Sequence, residues 1–504
     1  MATARVAVIP DEVIGTINPN IYGHFAEHIG GCIYEGIWVG EDSPIPNRGG
    51  IRLDVVEALR RIRPPVIRWP GGCFADDYHW RDGVGPRDQR PRRLNIWWDD
   101  IETNQFGTHE FVRFCRMVGA EPYICGNVGS GSPREMRDWV EYANYPGGTT
   151  LSDERAANGS PEPLNVRYWG VGNENWGCGG GFAPEEYAAA YRRFATYLRP
   201  LQREPMSLIA CGPAGNDTAW TQRFLERVTE GLGGRRHVPF QGYAAHYYCG
   251  TAGTATEYTD GQWYHLLARA QEMETLVLQQ RAILDGFDPD RKVGLIVDEW
   301  GAWHPVEEGT NPRHNYQQNT QRDALVAALT LDIFNRHADK VVMANIAQTI
   351  NVLQAMVLTD GARMLTTPTY HVYAMYAAHQ GKQAVRAIVQ GNTVDWADAE
   401  ADASGSIPQL TGSASVGDGA VTLSLVNSHA DEPAEATLAI YGVDGTLETR
   451  STLAADDIHA HNTFEVPEAV TPKVDHPDMA IVGGRDGITV TLPPASVTVL
   501  EIAL

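Results

Sequence analysis

The sequence predicts an α/β protein, a (β/α)8 TIM barrel followed by a C-terminal all-β, jelly-roll-like sandwich. Three observations predict it. Eight short apolar runs lie between residues 18 and 384, and amphipathic stretches of helical period separate them. The runs are continuous rather than strictly alternating, as strands buried on both faces must be. Beyond about residue 385 the pattern changes to alternating segments set between Gly, Asp and Pro turns. At 504 residues the chain is also too long for one ordinary domain.

The elements follow in order. Ala4–Ile9 is strand-like and precedes the first barrel strand, so residues 1–17 are expected to join the sandwich. The barrel is expected over 18–384, with strands at Ile21–Phe25, Val66–Trp69, Pro122–Val128, Val166–Val171, Ser207–Cys211, Tyr243–Tyr247, Val293–Val297 and Val341–Ile346. Helices are expected at Arg52–Ile62, Glu110–Val118, Pro184–Leu198, Ala219–Leu232, Tyr264–Leu284 and Arg322–His337. In the first, Leu53, Val56, Leu59 and Ile62 share one face. Pro184 suits a first helical turn, and Glu185 and Glu186 suit the positive end of the helix dipole. An open doubly wound sheet is the other reading of such a βα alternation, but no Gly-rich dinucleotide fingerprint follows the first strand. Residues 385–504 form the sandwich, with Val421–Val426 and Ile488–Leu492 as clear strands. From 387 onward there are eighteen acids and three bases, Arg450, Lys473 and Arg485.

Sixty-three acids against 40 bases leave a net charge of −23, whose field repels phosphates and argues against nucleic-acid or anionic-membrane partners. Thirteen tryptophans favour a carbohydrate ligand, although any single Trp is more often a core residue. The seven cysteines are odd in number and contain no CxxC pair. The expectation is therefore reduced thiols in a cytoplasmic protein, without a disulfide framework or a structural zinc site. The N-terminal stretch shows no signal-peptide run, and no segment is long and apolar enough to span a bilayer.

Two motifs carry chemistry. Arg167–Trp176 (RYWGVGNENW) is an apolar strand ending in Asn173-Glu174-Asn175, and Val293–Trp303 (VGLIVDEWGAW) is another, ending in Asp298-Glu299. These are strands four and seven, so Glu174 and Glu299 face each other across the barrel mouth, where active sites of this fold sit. Either glutamate alone is readable as a solvated loop acid. Together they make the pair that glycoside cleavage needs, an acid for the leaving oxygen and a base or nucleophile for the anomeric carbon. A separation of roughly 5–5.5 Å allows direct attack and retention, and roughly 6.5–9.5 Å admits a water and gives inversion.

At these residues the chain resembles the family 51 α-L-arabinofuranosidases. The resemblance spans nearly the whole chain in seven ordered blocks: 21–38 (IYGHFAEHIGGCIYEGIW), 68–86 (RWPGGCFADDYHWRDGVGP), 98–111 (WDDIETNQFGTHEF), 170–175 (GVGNEN), 246–248 (HYY), 298–300 (DEW) and 346–352 (IAQTINV). It implies retaining, exo-acting removal of terminal non-reducing α-L-arabinofuranosyl groups from oligosaccharides, with no metal or other cofactor and commonly a homo-hexameric assembly. It assigns Glu174 as general acid/base and Glu299 as nucleophile. Asn173 meets the 2-hydroxyl, while Glu27 and Gln348 bind other furanose hydroxyls. Tyr248 steadies the nucleophile, His246 sits beside the acid/base, Arg68 holds the carboxylates and Trp98 forms an apolar wall. Cys73 stands in a substrate-binding position where the family often has Asn. A thiol is a weak hydrogen-bond partner, which puts one sugar contact in question. The Gly-rich stretch after Asn175 departs from the family and bears on leaving-group preference.

Plainer readings exist for each residue alone. Arg68 suits a core salt bridge, Trp97 and Trp98 suit loop packing, and His246 suits a satisfied strand end. His24 and His28 stand four apart around Glu27, a spacing open to a metal, but no clear helix aligns them. The alternatives in function are a retaining β-D-xylosidase or endo-glucanase on the same scaffold, and a non-catalytic sugar-binding protein.

Overall fold

The computed structural model describes residues 2–201, 205–231, 238–481, 483 and 487–504. Eight parallel strands close a barrel: β1 (Gly23–Phe25), β2 (Val66–Trp69), β3 (Glu121–Gly126), β4 (Tyr168–Val171), β5 (Ser207–Ala214), β6 (Gly242–Gly250), β7 (Gly294–Ala302) and β8 (Val341–Ala347). Each pairs with the next and β8 pairs with β1. All eight predicted runs are barrel strands. The first is shorter than expected because Pro19–Tyr22 forms a 3-10 turn.

The barrel interior explains the site above it. Val66, Tyr123, Tyr168, Ile209, Ala244, Ile296 and Met343 pack as one apolar layer, one residue from each of β2 to β8. The remaining strand, β1, contributes Gly23, where a Cβ would lie 2.6 Å from Ala344 O and 2.7 Å from Val66 Cγ1. Side chains on a strand alternate faces, so the residues two further on form the next layer up. These include Phe25, Arg68, Cys125, His246 and Asp298. An apolar floor thus carries a charged layer at the C-terminal mouth.

Ten helices are described: α1 (Leu53–Ile62), α2 (Thr108–Val118), α3 (Pro133–Asn144), α4 (Thr150–Ala157), α5 (Pro184–Leu198), α6 (Thr218–Thr229), α7 (Asp260–Gln271), α8 (Met273–Phe287), α9 (Gln321–Arg336) and α10 (Pro368–Tyr376). Pro184 opens α5 as predicted, and Glu186 accepts a hydrogen bond from the Ala183 N–H at 2.8 Å. The single helix expected over Tyr264–Leu284 is two. The ladder breaks at Glu272, whose N–H turns back to Arg269 O at 3.2 Å. Helices α3, α4 and α10 went unpredicted. Leu232, the expected end of the 219–232 helix, lies outside the described residues.

Among the described residues, the N-terminal strand Ala2–Thr16 and nine C-terminal strands form one ten-stranded sheet, while Thr393–Asp398 and Ala403–Pro408 pair as a separate antiparallel hairpin. Ala2–Thr16 runs antiparallel to Gln383–Gln390 and parallel to Ala434–Ile440. Residues from distant parts of this sheet, among them Val6, Leu423, Leu438, Leu447, Val490 and Ile502, bury a common core, so the sheet folds over as a sandwich. The strand Ser496–Ala503 is buried on both faces. Leu500 and Ile502 enter the sandwich core, while Val497 and Val499 pack with the barrel core.

Helix α9 lies between the two cores and is buried from Gln321 to Asn335. Its polar residues therefore need partners. Thr320 caps its start by accepting from the Arg322 N–H, and Asp323 returns the bond to the Thr320 N–H. Asp332 accepts from Ser413 Oγ (2.7 Å), Ser424 Oγ (2.5 Å) and Tyr376 Oη (3.2 Å). Burial outweighs these donors and pushes Asp332 from 3.8 up to about 6. A carboxyl whose folded-state value is raised binds its proton more tightly folded than unfolded. Stability is thus lost as pH rises through that window. Asp332→Asn removes the titration, so stability is expected to move in the variant's favour by on the order of 1 kcal/mol between pH 5 and 8. Denaturant unfolding of both proteins at the two pH values measures this, and parallel pH profiles would contradict it.

Candidate active site

At the mouth, Arg68 on β2 is fully buried and reaches three groups. Its Nη1 donates to Glu299 Oε1 at 2.8 Å, Nε lies 3.3 Å from Asp298 Oδ2, and Nη2 donates to Asn173 Oδ1. Its guanidinium also lies 4.7 Å from the centre of the Phe25 ring. Tyr248 Oη donates to Glu299 Oε2 at 2.9 Å, and Tyr123 Oη donates to Asp298 Oδ2 at 2.8 Å.

The placement of Asp298 and Glu299 depends on a β-bulge. Ala244 on β6 pairs with Ile296 on β7, yet His246 pairs with Glu299, so β7 carries one extra residue. Strict alternation would turn adjacent residues to opposite faces. The bulge instead brings both carboxylates to His246. Its Nε2 lies 3.0 Å from Asp298 Oδ1, and its Nδ1 lies 2.9 Å from Glu174 Oε1 and 3.5 Å from Glu299 Oε2.

This spacing sets the charges. Burial disfavours the His246 imidazolium, but Glu299 and Asp298 outweigh burial and push it up to about 10. Burial likewise works to raise Asp298, but Arg68 and His246 hold it down at about 2. Burial pushes Glu299 up; the Glu174 charge acts in the same direction, and His246 and Arg68 oppose it. His246 is therefore a cation set among three carboxylates.

Glu27, just past β1, forms the other wall. Its Oε1 accepts from the Phe74 N–H (3.1 Å) and Trp98 Nε1 (3.0 Å), and its Oε2 accepts from Gln348 Nε2 (3.0 Å). Burial, reinforced by the Glu299 charge, pushes Glu27 up to about 7. Gln348 Oε1 is buried without a hydrogen-bond partner, which leaves an acceptor beside Glu27. The glycine pair before Cys73 is required by space. A Cβ on Gly71 would lie 2.5 Å from Glu27 Cγ, and one on Gly72 would lie 3.0 Å from Glu299 Oε1. Trp303, 40 % exposed, packs edge-on against Tyr248 at the rim.

Comparison with known proteins matches this geometry to one family. The α-L-arabinofuranosidase 1 domain matches residues 58–260, and the α-L-arabinofuranosidase C-terminal domain matches 298–496. The chain is 41 % identical to the intracellular exo-α-L-arabinofuranosidase of Bacteroides ovatus, over 99 % of this chain and 96 % of that one. The chain belongs to the family 51 α-L-arabinofuranosidases. The crystal structure of the family 51 arabinofuranosidase from Xanthomonas axonopodis pv. citri superimposes with a TM-score of 0.93 at 40 % identity, over the full length of both chains. That of the Thermotoga maritima α-L-arabinofuranosidase in its arabinose complex gives 0.87 at 30 %, again over both full lengths.

In this family 51 chain one expectation fails. Cys73 is not a thiol: it is disulfide-bonded to Cys178, with the two Cα atoms 5.4 Å apart and 105 residues between them in sequence. Residue counting and local spacing cannot detect such a pair, because the barrel brings together loops that follow different strands. The reading of reduced thiols holds only for Cys32, Cys115, Cys125, Cys211 and Cys249, all buried. The doubt about a weak thiol contact at position 73 is replaced by a different chemistry, a cross-link beside Glu174.

The structure brings Arg68, Asn173, Glu174, His246, Tyr248 and Glu299 into one network, with Glu27, Trp98 and Gln348 in a second beside it. Sequence reasoning missed Asp298, Tyr123 and Asp76. Asp76 accepts from the N–H groups of Val128 (2.7 Å), Gly129 (2.8 Å) and Asn173 (2.9 Å), tying together the loops after β2, β3 and β4. Its only sequence signal is its place in the ADD tract after the glycine pair. Among the described residues two trios bring ligand atoms within 4.8 Å of one another: Cys73, Glu174 and Cys178, and Glu174, His246 and Glu299. In the first, both sulfurs are committed to each other. In the second, the His246 cation occupies the centre of the carboxylates. His24 and His28 do not converge. His24 packs on Tyr373, and His28 binds Glu102 Oε2 at 2.6 Å and accepts from Trp69 Nε1 at 3.0 Å.

Proposed function

We propose that this protein hydrolyses terminal non-reducing α-L-arabinofuranosyl groups of arabinan- and arabinoxylan-derived oligosaccharides with net retention. The observation that carries the reading is the short gap between the carboxylates. An oxygen of Glu174 and one of Glu299 lie within 4.8 Å of each other, on the near side of the roughly 5–5.5 Å carboxyl separation of direct attack and well short of the gap that admits a nucleophilic water. The relatives named above support arabinofuranose as the sugar over D-xylose or glucan chains.

In this reading Glu299, oriented by Arg68 and Tyr248, attacks the anomeric carbon. The bond from that carbon to the leaving oxygen breaks as Glu174 delivers a proton to that oxygen. The covalent ester that forms removes one negative charge from beside His246 and Glu174. Glu174, left ionised by that proton delivery, then takes a proton from the incoming water as the water attacks the anomeric carbon. Asn173 meets the 2-hydroxyl, while Glu27 and the unpaired Gln348 oxygen receive other hydroxyls. Trp98 walls the furanose.

Proton NMR of the first sugar released from an aryl α-L-arabinofuranoside tests the reading. The α-anomer is expected before mutarotation; the β-anomer first would overturn retention, and no turnover would favour a non-catalytic sugar-binding protein. Cytoplasmic residence is part of the same reading, supported by the Bacteroides relative named as intracellular. No helix among the described residues is long and apolar enough to cross a membrane. Hexameric assembly is likewise proposed on family grounds, for measurement by light scattering.

A further inference from the structure

We propose that the Cys73–Cys178 disulfide is a reducible clasp that positions Glu174. Through it, the enzyme's capacity to expel a basic leaving group follows the thiol–disulfide state of its surroundings. The inference rests on the assignment of Glu174 as acid/base.

The two ends of the clasp differ in rigidity. Cys73 opens the turn Cys73–Asp76, which is fixed three ways. The Phe74 N–H bonds to Glu27, Asp76 binds the loops after β3 and β4, and Gly71 and Gly72 press against Glu27 and Glu299. Cys178 sits in the tract Gly177-Cys178-Gly179-Gly180-Gly181, four residues after Glu174. Gly180 and Gly181 have φ of 125° and 63°. The tract's glycines have the most backbone freedom to lose and no side chain to pack, so holding this turn in shape is costly in conformational entropy. Its backbone hydrogen bonds stay within the segment: the N–H groups of Gly177 and Gly179 bond to Glu174 O, those of Gly180 and Gly181 to Gly177 O and that of Phe182 to Asn175 O, and Asn175 Nδ2 bonds to Gly179 O, so the disulfide is what ties this turn covalently to the Cys73 turn.

Glu174 is also the less constrained of the two glutamates. Glu299 is held by Arg68 and Tyr248, whereas the Glu174 carboxylate contacts His246 and, at 3.6 Å, Cys178 Sγ. Its side chain is 18 % exposed against 6 % for Glu299. Loss of the clasp therefore falls on proton delivery rather than on the nucleophile.

The clasp is within reach of a reductant. Cys73 and Cys178 are both half-buried at the mouth, while the other five cysteines are buried. A thiolate of a dithiol attacks one sulfur, breaks the S–S bond and forms a mixed disulfide. The second thiol closes the dithiol into its own cyclic disulfide. Two electrons and two protons pass to the protein, leaving Cys73 and Cys178 as thiols.

The experiment compares oxidised wild type, dithiol-reduced wild type and the double variant Cys73→Ser/Cys178→Ser on aryl α-L-arabinofuranosides of graded leaving-group acidity. General acid catalysis is worth about 10²–10⁴-fold for a poor leaving group and little for a good one. Breaking the clasp is expected to lower kcat/KM about tenfold on the phenyl substrate and less than about twofold on the 2,4-dinitrophenyl substrate. Reoxidation should restore wild type, and the double variant should stay at the reduced value whatever the dithiol concentration. An equal loss across the panel would mean a merely structural bond, and a double variant with the oxidised wild-type profile would overturn the clasp; both are distinct from oxidised wild type turning over no arabinofuranoside, which would instead remove the acid/base reading beneath it.

Discussion

Replacing Glu299 by alanine is expected to lower kcat/KM on 4-nitrophenyl α-L-arabinofuranoside by at least about 10⁴-fold, the scale seen when a covalent nucleophile is deleted. The loss should be almost as large on activated substrates, because no leaving group spares the enzyme the need for an attacking atom. The fold should survive. Arg68 keeps Asp298 at 3.3 Å and Asn173 as partners, so the substitution does not strand a buried cation. His246 keeps Asp298 and Glu174. Azide, entering the space left by the carboxylate, should attack the substrate directly and give the β-configured arabinosyl azide, one inversion from the α-glycoside. Kinetics, circular dichroism and NMR of the product check the three parts separately. A variant retaining a tenth of wild-type activity would remove Glu299 from the nucleophile's role.

The same strand shows what the sequence does and does not reveal. An apolar run ending in Asp298-Glu299 marks a barrel strand emerging at the mouth, and a second such run ending at Glu174 marks its partner. Local hydropathy carries that information, because a strand buried on both faces must be apolar along its length. The bulge in β7 is another matter. It arises from how β6 and β7 register against each other, and that register is set by pairing and not by either segment alone. Simple alternation from Ile296 turns Asp298 inward and Glu299 away, so the bulge is what brings Glu299 to the mouth beside it, and Asp298, which contacts both Arg68 and His246, went unassigned. The Cys73–Cys178 bond is hidden for a related reason, since its partners are joined by barrel closure across 105 residues. Helix α9 was legible as an amphipathic helix. Its burial on all sides was not, because the second covering surface comes from the sandwich. Residues such as Asp332 and Asn335, which a lone helix would leave in water, instead bond to Ser413.

Glu174→Ala separates proton transfer from nucleophilic attack. Its kcat/KM is expected to fall about 10²–10⁴-fold on substrates with basic leaving groups, the usual worth of general acid catalysis, and far less on 2,4-dinitrophenyl arabinofuranoside. Glu299, still aligned by Arg68 and Tyr248, should continue to form the covalent intermediate from such activated substrates. Without a base for water that intermediate should accumulate, giving a burst and a depressed kcat. Azide needs no base, so it should restore turnover and yield the α-configured azide, two inversions from the α-glycoside and opposite to the product from Glu299→Ala. The opposition is the strength of the pair. Two glutamates sharing one histidine within 4.8 Å are hard to tell apart by activity loss alone, since removing either changes the charge felt by the other. Product stereochemistry does not depend on that coupling. If Glu174→Ala gave the β-azide and Glu299→Ala the α-azide, the roles would be exchanged. The alignment by Arg68 and Tyr248, groups that favour the ionised carboxylate of Glu299, would then have to serve the proton donor, contrary to the charge balance at the mouth.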